Sequence, residues 1–144
     1  MSRAMVLVVL LGVAAPAALA GEGRIYTEDG VAISGADPVA YFEAGAAKQG
    51  SAAHSYEWRG AEWHFTSAQN RRMFKRNPEK YAPQYGGWCA WAAARGDAAA
   101  TSPEAWKIVN GKLYLNYDQQ IQKRWEKDIE GFITKADENW PDIF

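Results

Sequence analysis

Few side chains in this sequence of 144 residues can do soft-ligand or nucleophilic chemistry: one cysteine, Cys89, and two histidines, His54 and His64. Cys89 ends the run Tyr85-Gly86-Gly87-Trp88-Cys89, in which two glycines free the backbone for left-handed angles or close approach. A lone thiol cannot close an internal disulfide. It is a buried small hydrophobe, a metal ligand, a reactive nucleophile or half of an intermolecular bridge. A nucleophile needs a base within hydrogen-bond reach, for which only His54 and His64 are available, and no second cysteine is present to resolve a disulfide exchange. Tyr81, Tyr85, Trp88 and Trp91 crowd around Gly86 and Gly87. Such a set suits an aromatic groove for a small ligand or a protein partner, with core packing as the alternative for each single ring.

Two hairpins must position these groups. Ser51 to Thr66 reads as the first, turning at Arg59-Gly60. A two-residue turn there sets Tyr56 opposite Trp63, Ser55 opposite His64 and His54 opposite Phe65. This register gathers Tyr56, Trp58, Trp63 and Phe65 on one face and puts His54 and His64 on opposite faces, against a paired-histidine clamp. Trp106 to Tyr117 is the second hairpin, turning at Asn110-Gly111, with Trp106, Ile108, Leu113 and Leu115 on one face. The pattern predicts that this sheet is covered on that side alone.

Helices are expected at five places. Asp37-Pro38 caps and opens a short one, Ser67 caps Ala68 to Arg76, and Pro78 opens another turn. Trp88 to Arg95 is helix-compatible up to Gly96. Asp118 caps a long amphipathic helix whose stripe runs Ile121, Trp125, Ile129, Phe132, Ile133, Ala136 and Trp140, with a bend at Gly131. Val31 to Ser34 reads as a short strand ending at Gly35. The fold class that follows is α+β, a single domain of antiparallel β-hairpins forming a small sheet packed against helices.

Sixteen basic and 17 acidic residues give a net charge of −1, which removes the footprint expected of a nucleic-acid binder. Arg71, Arg72, Lys75 and Arg76 form the one basic cluster, read as a solvated helix face. At the N-terminus, Arg3, the apolar stretch Met5 to Val13 and Ala18-Leu19-Ala20 have the form of a cleaved signal peptide over residues 1–20. Residues 21–30 then read as a polar lead-in, 31–140 as the domain and 141–144 as a tail. The expected location is periplasmic or secreted, with no stable membrane insertion after cleavage, since the apolar stretch is too short to span a bilayer.

Asp37-Pro38-Val39, the hairpin ending His64-Phe65-Thr66-Ser67, and Asn77-Pro78-Glu79-Lys80-Tyr81 resemble the YHS domain. With Tyr85-Gly86-Gly87-Trp88-Cys89-Ala90, Lys112 to Tyr117 and Lys123-Arg124-Trp125, the likeness extends to exported bacterial YHS-domain proteins and covers most of Val31 to Trp140. The resemblance implies heavy-metal handling, notably of copper, and the first expectation is a non-enzymatic metal-binding or metal-handling module. Members of that kind carry cysteines just after Asp-Pro-Val and early in the helix after the hairpin, positions held here by Ala40 and Asn70. A copper site in this chain would have to be built from Cys89, with His64, His54 or Met73 as candidate imidazole and thioether ligands beside the thiol. The alternatives are a module that binds a ligand or a periplasmic protein in the aromatic groove, with Cys89 structural, and a thiol redox protein.

Overall fold

Three tight turns shape the strands. Asp29-Gly30, Arg59-Gly60 and Asn110-Gly111 all have positive φ at both central positions, the geometry of the type I′ hairpin turn. The computed structural model describes residues 24–144. The signal peptide expected over residues 1–20 lies outside them. The lead-in is part of the fold: β1 (Thr27–Glu28) pairs antiparallel with β2 (Val31–Ala32), and Tyr26 is buried. β2 stops sooner than the sequence suggests because Ile33 and Ser34 take left-handed angles and turn the chain toward Asp37.

Asp37 caps α1 (Pro38–Glu43) as expected, its Oδ1 accepting from the amides of Val39 and Ala40. β3 (Ser51–Trp58) and β4 (Ala61–Phe65) follow, with Ser55 opposite His64, Tyr56 opposite Trp63 and Trp58 opposite Ala61. The expected pairing of His54 with Phe65 is not made. A bulge brings Ser51 opposite Phe65 instead and leaves His54 without a partner in β4. The sheet runs β1-β2-β4-β3, and the β2–β4 contact is parallel, so the sheet is mixed rather than wholly antiparallel.

α2 (Ala68–Arg76), capped by Ser67, lays Phe74 on this sheet, and α3 (Pro78–Tyr81) adds one turn. α4 is shorter than expected, Ala90–Ala94, with Cys89 as its N-cap and Trp88 still extended. β5 (Trp106–Val109) and β6 (Lys112–Leu115) form the second hairpin in the register the sequence indicates. This hairpin is covered on both sides, not one. Leu113 and Leu115 enter a first core with Trp63, Phe65 and Phe74, while Tyr114 enters a second with Tyr85, Ala93, Trp125 and Ala136. Trp106 and Ile108 pack on the first and Val109 on the second.

The C-terminal amphipathic stretch splits in two. α5 (Gln119–Glu126) ends at Lys127, and α6 (Ile129–Asn139) starts afresh with Asp128 as its cap, accepting from the Gly131 amide at 3.1 Å. The break is thus at Asp128, and Gly131 has a different task. A Cβ there would run into the Asp128 carboxylate, so glycine lets the cap close. Helices on a mixed four-stranded sheet and a two-stranded one make the chain α+β. Among the described residues no helix is long and apolar enough to cross a membrane.

Candidate functional site

A cleft of about 470 Å³ opens where the first hairpin, the Tyr85 turn and the C-terminus meet. Trp58 and Arg59 reach it from the end of β3 and the following turn, Glu79 from α3, Lys112 from the start of β6, and Asp137, Trp140 and Pro141 from α6 and the segment after it. Pro83, Gln84, Tyr85 and Gly86 form its floor.

That floor is an unusual piece of backbone. Tyr85 and Gly86 have φ 57° and 61°, left-handed values that a bulky aromatic residue rarely takes. Local packing holds them there. The Gly86 carbonyl accepts from the Tyr26 amide at 2.9 Å, and a Cβ on Gly86 would collide with the Arg24 carbonyl. On the Tyr85 side, the phenol donates to Asp137 Oδ1 at 2.9 Å, and the ring lies 5.8 Å from Trp140 and 5.9 Å from Tyr114. Burial, then the hydrogen bond to Asp137, push the phenol well above its ordinary ionisation range. It stays a donor at any physiological pH.

The charges in the cleft are arranged unevenly. Arg59 stacks 4.3 Å over the Trp58 ring and pairs with Glu79 at 3.1 Å. Lys112 has no carboxylate, and Asp137 no cationic side chain, within salt-bridge distance among the described residues.

Cys89 lies elsewhere and is buried. Its thiol approaches Asn116 Oδ1 at 3.5 Å, and the same oxygen takes the Trp91 amide at 3.0 Å. Burial raises the thiol's pKa, opposed by backbone groups of Ala92, Tyr117 and Trp91, so the net direction favours the neutral form. A protonated, enclosed thiol is poorly suited to nucleophilic attack. His64 is engaged with Glu62 Oε2 at 2.9 Å, His54 sits at the bulge, and Met73 lies at the edge of the first core. Ala40 and Asn70, where the likeness looks for cysteines, do meet, on Asp37. The buried carboxylate takes the Ala40 amide on Oδ1 and, on Oδ2, the Thr66 amide, the Thr66 hydroxyl and the Asn70 side-chain amide at 2.8–2.9 Å. All its acceptor positions are used by the fold, leaving none for a metal. Among the described residues no three of His, Cys, Asp and Glu stand together as a metal-holding group.

The segment that supplies Thr66 and Asn70 to Asp37, and half the cleft lining, is also the one with a family likeness. Residues 47–85 match the YHS domain. The likeness read from the sequence is thus found over that segment. No curated protein and no solved structure matches the chain. The YHS segment ends at Tyr85, so it supplies Trp58, Arg59, Glu79 and the floor up to Tyr85, while Gly86, Lys112, Asp137 and Trp140 come from outside it.

The four rings expected to make one groove are dispersed. Tyr81 is buried beside Phe42, Trp88 packs between Tyr26 and Phe144, and Trp91 lies beneath Arg95. Of the expected ligand-binding residues, Tyr85 and Gly86 line the cleft; Gly87 is buried against Ile33. Trp58, Arg59, Lys112, Asp137 and Trp140 are absent from the expected set. Asp137 and Trp140 share a helical face three residues apart, and Trp58-Arg59 borders a tight turn, but neither pattern points to a site without the tertiary contact.

Proposed function

We propose that this YHS-domain protein is a ligand-binding module, and that the Tyr85 cleft receives a small organic molecule. The observation that carries this reading is the left-handed Tyr85 turn, where a strained aromatic residue is locked by Asp137 and by the Tyr26–Gly86 pairing at the base of a cleft flanked by Trp58 and Trp140. Strain of this kind is kept where the surroundings over-determine it, and it clusters at binding sites. The volume lies within the range for small-molecule sites, and the mixture of flat apolar walls with a few polar groups suits orientation as well as contact.

Protein-observed NMR with a library of small aromatic and heteroaromatic compounds tests it. Binders are expected to shift the indole signals of Trp58 and Trp140, and Trp140→Ala is expected to weaken them by about tenfold, as loss of one aromatic wall implies. A library that leaves both indoles untouched would remove the proposal. The copper reading makes the opposite demand. It requires stoichiometric Cu(I) uptake in a competition assay, lost in Cys89→Ser, with the cleft indoles unaffected.

A further inference from the structure

Resting on the cleft as a binding site, we infer that its ligand is a small zwitterion with an ammonium group and a carboxylate, such as an α-amino acid or short peptide with a flat apolar side chain. The inference comes from which charges in the cleft are already satisfied. Arg59 and Glu79 neutralise each other at 3.1 Å. Asp137 spends Oδ1 on the Tyr85 phenol, and its Oδ2 takes no hydrogen bond from the described residues. The phenol occupies Oδ1 as a donor and leaves Oδ2 open to the cleft. Lys112 brings an ammonium group to the same cleft, and the two are not within 4.0 Å of one another. Two opposite charges on separate elements, β6 and α6, thus face one space without meeting across it.

A ligand that places an ammonium on Asp137 and a carboxylate on Lys112 completes both pairs at once. A monovalent cation or anion completes one and leaves the other. Phosphate-like dianions are disfavoured, because Glu79 and Asp137 stand in the same lining and balance Arg59 and Lys112. In the same lining, Trp140 and Trp58 offer aromatic surface for the side chain, Trp58 with one face already taken by Arg59. The ammonium also gains from lying beside aromatic rings.

The test titrates the protein with phenylalanine, phenylalaninamide, N-acetylphenylalanine, N-acetylphenylalaninamide and diphenylalanine, following the Trp140 indole by NMR. Phenylalanine or the dipeptide is expected to bind most tightly, and whichever is tighter tells free amino acid from peptide. Lys112→Gln is expected to weaken the zwitterions and the N-acetyl acid by about threefold to fivefold while sparing the amide. Asp137→Asn is expected to weaken the zwitterions and the amide while sparing the N-acetyl acid. Asp137→Asn also touches the Tyr85 bond, so Lys112→Gln, which breaks no side-chain hydrogen bond or ion pair among the described residues, is the deciding variant. Equal binding by the neutral N-acetyl amide overturns the zwitterion while leaving the cleft as a site. No response to any of the five, with responses to uncharged heteroaromatics, does the same; no response to either set overturns the cleft as well.

Discussion

The β5–β6 hairpin has a core on each face, and the two cores are built differently. On one face Trp63, Phe65 and Phe74 form an aromatic stack in which Phe74 lies 5.0 Å from Trp63, 5.2 Å from Phe65 and 5.5 Å from Trp58. The Trp63 indole donates to the Trp58 carbonyl at 3.1 Å, and Asp37, buried beside this core, has both oxygens occupied. On the other face the small-residue helix α4 packs against α6, and polar atoms are left over. Trp125 Nε1 and, near Cys89, Asn116 Nδ2 are buried without a hydrogen-bond partner. A core whose polar groups are all answered specifies one structure. One with unanswered donors carries a stability cost, and it is this second core that floors the cleft with Tyr85.

The same substitution made in each core separates them most strongly. Trp63 and Trp125 are both fully buried. Trp63→Phe opens a cavity and removes the indole hydrogen bond to the Trp58 carbonyl, at an expected cost of about 2–4 kcal/mol. Trp125→Phe opens a similar cavity but removes an unpartnered donor, and its cost is expected to be about 1–2 kcal/mol smaller. Urea unfolding of the two variants checks this, and equal losses would mean that the Trp125 donor is satisfied in solution.

Gly86→Ala breaks the boundary between the cores and the cleft. The added methyl meets the Arg24 carbonyl and sits at a left-handed φ of 61°. A loss of about 1–3 kcal/mol is expected, with the Tyr26–Gly86 hydrogen bond exposed to faster amide exchange. Gly111→Ala is the control, because that glycine also has positive φ but open space around it. It is expected to cost less, by about 1 kcal/mol. If the two cost the same, the close approach of Arg24 contributes nothing.

The first core was legible in the sequence because its signals are local. Alternating aromatics from Tyr56 to Phe65 fix a register, Asp37-Pro38 and Ser67 announce helix starts, and the YHS likeness falls on the same residues. The bulge that displaces His54 left no such mark, since Ser51-Ala52-Ala53 has no alternation to be violated. The second core depends on contacts between distant segments. Tyr114 reads as an outward residue of a one-sided hairpin until α4 to α6 fold over it, and Asp137 reads as solvent-facing until Tyr85 arrives 52 positions away in sequence. For the site the same division holds: Tyr85 and Gly86 were visible as a glycine-flanked aromatic, whereas Lys112 and Asp137 enter only through tertiary structure. The separation of α5 from α6 at Asp128 was readable in principle, since aspartate is a favoured N-cap residue, but the unbroken apolar stripe masked it.

Alkaline pH gives the mildest probe of the difference. Tyr85 and Tyr114 in the second core and Cys89 beside it all have raised pKa values, chiefly from burial; in the first core Tyr41 alone does. A group whose folded pKa is raised holds its full contribution below its unfolded value and loses it as pH climbs toward the folded one. The ordinary values are 9.0 for the thiol and 10.0 for the phenols, so the thermal midpoint should be insensitive to these groups up to about pH 8 and fall progressively above pH 9. Tyr85→Phe removes one titrating phenol and its bond to Asp137. At neutral pH it is expected to cost only about 0.5–1.5 kcal/mol, and above pH 10 it should fall less steeply than the parent. Cys89→Ser should delay the onset from the thiol's range to that of the phenols. A Tyr85→Phe curve parallel to the parent through pH 11 would show that the Tyr85 phenol ionises without loosening the second core, and would leave the alkaline sensitivity to Cys89, Tyr114, Tyr26 and Tyr41.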